Sequence, residues 1–308
     1  MKALQCTELG GPEKLQVNEI DAPEVVPGHV VIDVKSGSIN FPDVLMIQGL
    51  YQFQPPLPFI PGGESAGVIS EVGEGVTKFK EGDKVFAMTG VGAFAEKILA
   101  AESNCMPIPE SMDFDSAAAL SMTYGTSLYA LKQRASLQPG ETLLVLGASG
   151  GVGLAAIELG KAMGAKVIAA ASTQDKIDMC LSHGADEGFI YPSSNLDRDQ
   201  QKELSNKIKE LTGGLGPNVI YDPVGGSYAE PCLRSIAWEG RYLVIGFAAG
   251  ADQIPKMPLN LTLLKGCQIV GVFWGAWVGQ FPDENKKNFD ELFNLHSEGK
   301  INPEVSQK

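Results

Sequence analysis

Residues 141–172 constrain this chain more tightly than any other stretch. They read ETLLVLGASGGVGLAAIELGKAMGAKVIAAAS. Thr142 to Leu146 is short and nearly all apolar, which suits a strand buried on both faces of a parallel sheet. A glycine-rich turn, Gly147 to Gly153, follows. Leu154, Ile157 and Leu159, with Ala155, Ala156 and Ala162 among them, then predict a helix that stops at Gly164. Ala165 to Ala171 predicts a second buried strand, which completes a β-α-β unit. Glycines in such a turn let the backbone approach a diphosphate, which then meets the unpaired N–H groups and the positive dipole end of the helix. Ser149, Gly150, Gly151 and Val152 are the turn residues placed to touch it.

The same turn admits a second reading. Gly147-Ala148-Ser149-Gly150-Gly151 also fits G-x-S-x-G, the nucleophile elbow of serine hydrolases, which likewise lies between strand and helix. That chemistry needs an acid and then a histidine downstream. Only His183, in a helix-end pattern before Gly184, and His296, near the end of the chain, are available. The strand and helix on either side of the glycines favour dinucleotide binding.

A chain of 308 residues is long enough for two domains with separate cores. Its net charge of −13 argues against nucleic acid or an anionic membrane as a main partner, because both need clustered Lys and Arg. The five cysteines are widely spaced, odd in number and without a C-x-x-C pair, as expected for reduced thiols. The longest apolar run, Ile269 to Gly279, is too short to cross a bilayer. A soluble, cytoplasmic protein is expected.

Residues 1 to about 108 alternate apolar and polar positions at Leu15 and Val17 and at Val30, Ile32 and Val34, the period of half-buried strands. Residues 67–72, 83–87 and 94–99 add further strands, and Pro and Gly clusters punctuate them. A small, partly open barrel is expected, with a short helix over Asn40–Leu50. Asp113 and Asp115 open an Ala- and Leu-rich helix that reaches Arg134. Beyond the β-α-β unit, strands are predicted at Gly188–Tyr191, Val219–Asp222, Arg241–Phe247 and Gln268–Trp274. Leu204, Ile208 and Leu211 form one apolar stripe on a charged helix. Six strands alternating with helices make a doubly wound parallel sheet.

Several stretches resemble, in order, the medium-chain dehydrogenase/reductase superfamily, and within it the zinc-free NADPH:quinone oxidoreductases related to zeta-crystallin. They are Asn40-Phe41-Pro42-Asp43 with Gly49-Leu50-Tyr51, the run from Pro58 to Gly67, Ala118 to Thr126, Gly147 to Gly153, Tyr221 to Gly226, Gly246-Phe247-Ala248 and Gly271 to Gly275. The resemblance implies an α/β fold, with a GroES-like β-barrel domain over residues 1–122 and a Rossmann NADPH-binding domain over 123–281. Residues 282–308 are expected to return to the first domain, in shortened form, because relatives continue through a further helix and strand. It also implies a homodimer, paired through the strand at Ile269–Trp274.

Zinc-dependent relatives carry Cys where this chain has Asn40 and His where it has Gly63, next to Glu64. Without such ligands a catalytic zinc has no shell, so no metal is expected. Glu64 then reads as a remnant of that site or as a buried structural carboxylate. Ala148 stands where many fingerprints have their first glycine, a departure this family tolerates. The resemblance places Asn40, Tyr51 and Thr126 near the nicotinamide and the substrate. It places Gly246, Phe247, Ala248, Val272, Phe273 and Trp274 around the cofactor.

A quinone accepts hydride at one end of its conjugated system, so the protein has only to position the reactants and exclude side reactions. A reductase of enones or enoyl thioesters would use the same donor, and a crystallin-like protein that binds cofactor with little turnover is a further alternative. Cofactor choice follows from single residues. NAD-specific domains place a carboxylate at the end of the second strand. Here that strand runs into Ser172, Thr173 and Lys176 with no carboxylate at its end, which favours the extra phosphate of NADPH. Ser172 or Thr173 also suits a helix cap, and Tyr191 matches a family position beside the same phosphate.

Overall fold

A computed structural model describes every residue except Ser194, and Ala251 by its backbone alone. The chain forms two compact units, residues 1–122 with 303–308, and residues 123–302. In the first, β1 (Lys2–Cys6) and β2 (Leu15–Glu19) form an antiparallel pair. Then come β3 (His29–Gly37), α1 (Phe41–Ile47), β4 (Glu64–Val72), β5 (Lys84–Met88), β6 (Lys97–Ala101) and β7 (Cys105–Pro107). These five strands make one antiparallel sheet of order β6-β3-β4-β5-β7. Its curl has a local cause, since the pairing of β3 with β4 slips between Val31 and Ile32 and again between Val34 and Ser36. The alternation at Val30 and Ile32 buries both against Ile69, Val85, Ile98 and Cys105, and the result is the curled half-barrel of a GroES-like domain.

α2 (Phe114–Leu128) leads from this unit into the second and ends in a π-helical turn over Tyr129–Arg134. The order is then β8 (Thr142–Val145), α3 (Gly151–Ala162), β9 (Lys166–Ala171), α4 (Gln174–Ser182), β10 (Glu187–Ile190), α5 (Arg198–Leu211) and β11 (Val219–Asp222). It closes with α6 (Ala229–Ser235), β12 (Arg241–Val244), α7 (Asn260–Lys265), β13 (Gln268–Gly271), α8 (Trp274–Gln280) and α9 (Pro282–Ser297). Six parallel strands lie in the order β10-β9-β8-β11-β12-β13, the Rossmann arrangement. The central strands are the all-apolar runs, and Leu143, Leu144, Val145, Val167 and Ile168 are fully buried.

Two expectations meet a different outcome. The last strand stops at Gly271 rather than at Trp274, because Trp274 turns inward and opens α8, with its indole close against Gly125. Residues 282–302 group with the second unit, and only 303–308 with the first. α9 holds to the second unit through its buried Asn285, Asn288, Phe289 and Leu292. Trp274 Nε1 donates to Asn285 Oδ1 at 3.3 Å and Gln133 Nε2 donates to Asn288 Oδ1 at 2.9 Å.

All five cysteines are buried and free. Burial pushes every thiol up, that of Cys180 to about 11 and that of Cys105 to about 12. No helix among the described residues is long and apolar enough to cross a membrane.

Asp113 caps α2, with Ser116 N–H donating to its Oδ1 at 2.7 Å. That bond holds the Asp113 carboxyl below the usual range. A folded-state pKa below the unfolded one stabilises above the ordinary carboxylate range and is lost as the pH falls through the folded value. Asp113→Ala should therefore cost about 1 kcal/mol at neutral pH. Urea titrations of both proteins over a pH series should show the difference shrinking in acid. A gap that widens in acid would refute the cap.

Candidate functional site

Because the six strands are parallel, their C-terminal ends share one edge, and the segments that follow them are brought together there. The glycine turn after β8 is built by two close approaches. Gly147 has φ +55, in the region where glycine is favoured. A Cβ on Gly153 would lie 2.6 Å from the carbonyl oxygens of both Gly147 and Ala148, so only glycine fits. Ala148 is buried, and its N–H donates to Ala170 O on β9 at 3.1 Å, which explains why alanine serves there. Gly150 is the N-cap of α3 and supplies no side chain to close the first turn. The N–H groups that open α3 thus face an exposed Gly150-Gly151 surface, the arrangement that takes an anion.

Ser172 follows β9, and Lys176 Nζ donates to its Oγ at 3.0 Å. Thr173 is the N-cap of α4 and accepts from Lys176 N–H at 3.4 Å. No carboxylate ends β9, and Asp175 lies in the first turn of α4. Tyr191, after β10, is buried, and its hydroxyl accepts from Gly147 N–H at 3.1 Å, so it braces the glycine turn directly. Gly246, Phe247 and Ala248 follow β12 and lie on the turn after β11, where Ala248 N–H donates to Pro223 O at 3.0 Å. That turn is itself tied by the buried Asp222, which accepts from Val224 and Gly225 N–H and from the Tyr242 hydroxyl. Val272 N–H pairs with Val244 O at 3.0 Å and Phe273 is exposed, whereas Trp274 is buried inside the unit against Gly125 and Phe289. Thr126 sits half-buried on α2.

Asn40 and Tyr51 belong to the first unit, at either end of α1. Asn40 is the N-cap and Tyr51 follows the helix, half-buried beside Met46, Ile47 and Phe59. Asp43, in the first turn, is buried and accepts from the backbone of Asn40 at 2.8 Å and from that of Gly62 and Gly63. Burial, and after it the Asp43 charge, pushes the Tyr51 phenol up, so the hydroxyl stays protonated.

Below Asn40 lies Glu64, 1% exposed. Its carboxylate accepts from four donors: the Ser38 and Ser121 hydroxyls, Asn40 Nδ2 at 2.5 Å and Met122 N–H at 2.7 Å. Burial pushes this carboxyl above the usual range, and the four donors pull it the other way.

These features find their counterparts in known proteins. The profile described as "Alcohol dehydrogenase GroES-like domain" matches residues 26–110, and that described as "Zinc-binding dehydrogenase" matches residues 151–293. Quinone oxidoreductase-like protein 2 of Rattus norvegicus is 38% identical over 303 residues, covering 98% of this chain and 83% of that protein. The chain belongs to the quinone oxidoreductase family of the medium-chain dehydrogenase/reductase superfamily. Its fold matches the Escherichia coli quinone oxidoreductase complexed with NADPH at a TM-score of 0.88, with 29% identity over 99% of this chain and 91% of that one. It also matches the CurK enoyl reductase at a TM-score of 0.84, with 25% identity over 99% of this chain and 90% of that one.

One profile of this superfamily carries zinc in its description, and the residues here do not fit that metal. The four groups bonded to Glu64 all donate to it, and Gly63 offers no side chain. Among the described residues, no three of His, Cys, Asp and Glu gather as a metal site. Sequence reasoning missed Ser38, Ser121 and the Asp222–Tyr242 pair. The available signal was indirect: a buried carboxylate requires donors, and Ser121 lies within a family motif.

Gly153→Ala would press a methyl group into two backbone carbonyls that cannot move aside. It should cost about 1–3 kcal/mol. The check is the urea midpoint, where unchanged stability would contradict the close approach.

Proposed function

We propose that this chain is a metal-free, NADPH-dependent reductase of quinones and similar conjugated carbonyls. The observation that carries the reading is the anion cradle at the start of α3, with Ser172 and Lys176 at the end of the neighbouring strand where an NAD-specific domain has a carboxylate. The N–H groups of Ser149, Gly151 and Val152, beside a Gly150 whose own N–H is bonded to Gly147 O at 3.0 Å, fit a diphosphate, and Ser172, Thr173 and Lys176 fit the additional phosphate. NADPH supplies the hydride when bound. Tyr51, kept protonated, donates to the oxygen on which charge develops, and solvent completes the reduction to the hydroquinone. Asn40 and Thr126 orient the reactants, and Gly246 to Ala248 with Val272 and Phe273 complete the cofactor surface. Trp274 serves by packing rather than by contact, since its indole is buried against Gly125.

Likeness to an enoyl reductase makes enoyl thioesters the second reading of the substrate. Steady-state kinetics with para-benzoquinone, phenanthrenequinone and a crotonyl thioester, each with NADPH and NADH, separates the two. Quinones should give the higher kcat/KM. Lys176→Ala and Ser172→Asp should each lower kcat/KM for NADPH by about tenfold and for NADH by less than about twofold. Faster thioester turnover moves the substrate class. Tight NADPH binding with no acceptor reduced favours the crystallin-like role, and equal losses with both cofactors refute the phosphate assignment.

We also infer a homodimer. β13 is an edge strand of the Rossmann sheet, and Trp238, Leu263, Leu264, Ile269 and Phe273 leave apolar surface exposed on or near it. Light scattering should return twice the chain mass, and Ile269→Lys should return the single mass. A monomeric wild type at micromolar concentration would reject this.

A further inference from the structure

Three successive amides lead out of β8 into the glycine turn, and a different part of the second unit holds each of them. Leu146 N–H donates to Tyr221 O on β11 at 3.0 Å, and Ala148 N–H donates to Ala170 O on β9 at 3.1 Å. Between them, Gly147 N–H donates to the Tyr191 hydroxyl at 3.1 Å. The outer two rest on main-chain carbonyls, which any sequence supplies. The middle one rests on a side chain, so one phenol oxygen decides where that amide points.

Its direction matters to the rest of the turn. Gly147 has φ +55, a rotation about that same nitrogen, and its carbonyl accepts from Gly150 N–H at 3.0 Å. An amide that turns away carries this carbonyl with it and shifts the start of α3. Tyr191 is itself firmly mounted. Its N–H donates to Ala171 O at 2.9 Å, and its ring centroid lies 4.8 Å from that of Tyr228. The Tyr228 hydroxyl donates to Pro192 O at 2.6 Å, and Leu196 N–H donates to Ser227 Oγ at 2.8 Å. The segment after β10 is thus fastened to the one after β11, and only 7% of Tyr191 is exposed.

We propose that Tyr191 is a positioning residue for the diphosphate, which through the Gly147 amide sets how tightly any dinucleotide binds and leaves the choice between NADPH and NADH to Ser172, Thr173 and Lys176. The proposal rests on the reading of the glycine turn as a dinucleotide site. It moves Tyr191 from the phosphate that distinguishes the two cofactors to the diphosphate that they share. A buried N–H without an acceptor is costly. Without the hydroxyl the Gly147 amide turns to another partner, and a diphosphate has to drive it back on binding.

Tyr191→Phe removes the oxygen and keeps the ring. Calorimetric titration of the intact protein then compares four ligands: NADPH, NADH, ADP and adenosine 2′-monophosphate. ADP carries the diphosphate without the additional phosphate, and the monophosphate carries the additional phosphate without the diphosphate. NADPH, NADH and ADP should each bind about tenfold more weakly to the variant. The monophosphate should change by less than about twofold, as should the ratio of NADPH to NADH affinity. A loss confined to NADPH and the monophosphate overturns the proposal, because it places the hydroxyl on the additional phosphate. So does a lowered Tm with all four constants unchanged, or a loss shared equally by all four.

Nitrogen-15-labelled wild type decides the matter even where the variant does not fold. Its Gly147 N–H should exchange about a hundredfold more slowly than amides of exposed loops, and saturating adenosine 2′-monophosphate should leave that protection in place. Exchange at the exposed rate, or protection lost to the monophosphate, overturns the proposal. A wild type that binds neither NADPH nor ADP refutes the dinucleotide reading and the proposal with it, whereas every other adverse result leaves that reading standing.

Discussion

The carbonyl oxygens of Gly147 and Ala148 come so close to the α-carbon of Gly153 that only a hydrogen atom fits between them. This contact sets where α3 begins and aims its first N–H groups at the sheet edge. Around it the other pieces are arranged in turn. Tyr191 holds Gly147 from the side of β10, and Ala148 is pinned to β9. Behind the turn, Val224 stands where a Cβ on Gly147 would come within 3.0 Å, and Asp222 keeps that segment in shape. A backbone this crowded is preorganised, so a ligand meets donors that need no rearrangement.

The chain also keeps several carboxylates away from water, and each has a full set of donors. Glu64 has four, Asp222 has two N–H groups and a phenol, and Asp43 has three backbone N–H groups. Glu158 accepts from the Tyr124 hydroxyl and Asn302 N–H and pairs with His183 Nδ1. An unpartnered charge in such places would cost several kcal/mol, so each network specifies one arrangement of its neighbours. In the first unit the outcome is the hydrogen-bonded cluster around Glu64, and in the second it is the turn that stands behind the glycine loop.

Much of this architecture is legible in the sequence, for identifiable reasons. β8, α3 and β9 announce themselves through buried-strand runs and the glycines between them, and the barrel strands through strict alternation at Val30, Ile32 and Val34. What escapes is what depends on distant residues. Ser121 and Glu64 are 57 positions apart and Tyr242 and Asp222 are 20 apart, and no local pattern links either pair. The apolar run past Gln268 reads as one long strand because hydrophobicity alone does not reveal that Trp274 turns in against Gly125. The place of α9 is hidden likewise, since it is held partly by buried amides, whose polarity suggests surface.

The five sequestered cysteines take on a second meaning beside an electron-poor acceptor. A quinone is an arylating electrophile as well as an oxidant, and thiolates are the side chains it attacks most readily. Here every sulfur is buried, and each thiol is held further from ionisation than a free cysteine, so the nucleophile is both hidden and switched off. A protein built this way offers such an electrophile no ready thiolate to alkylate.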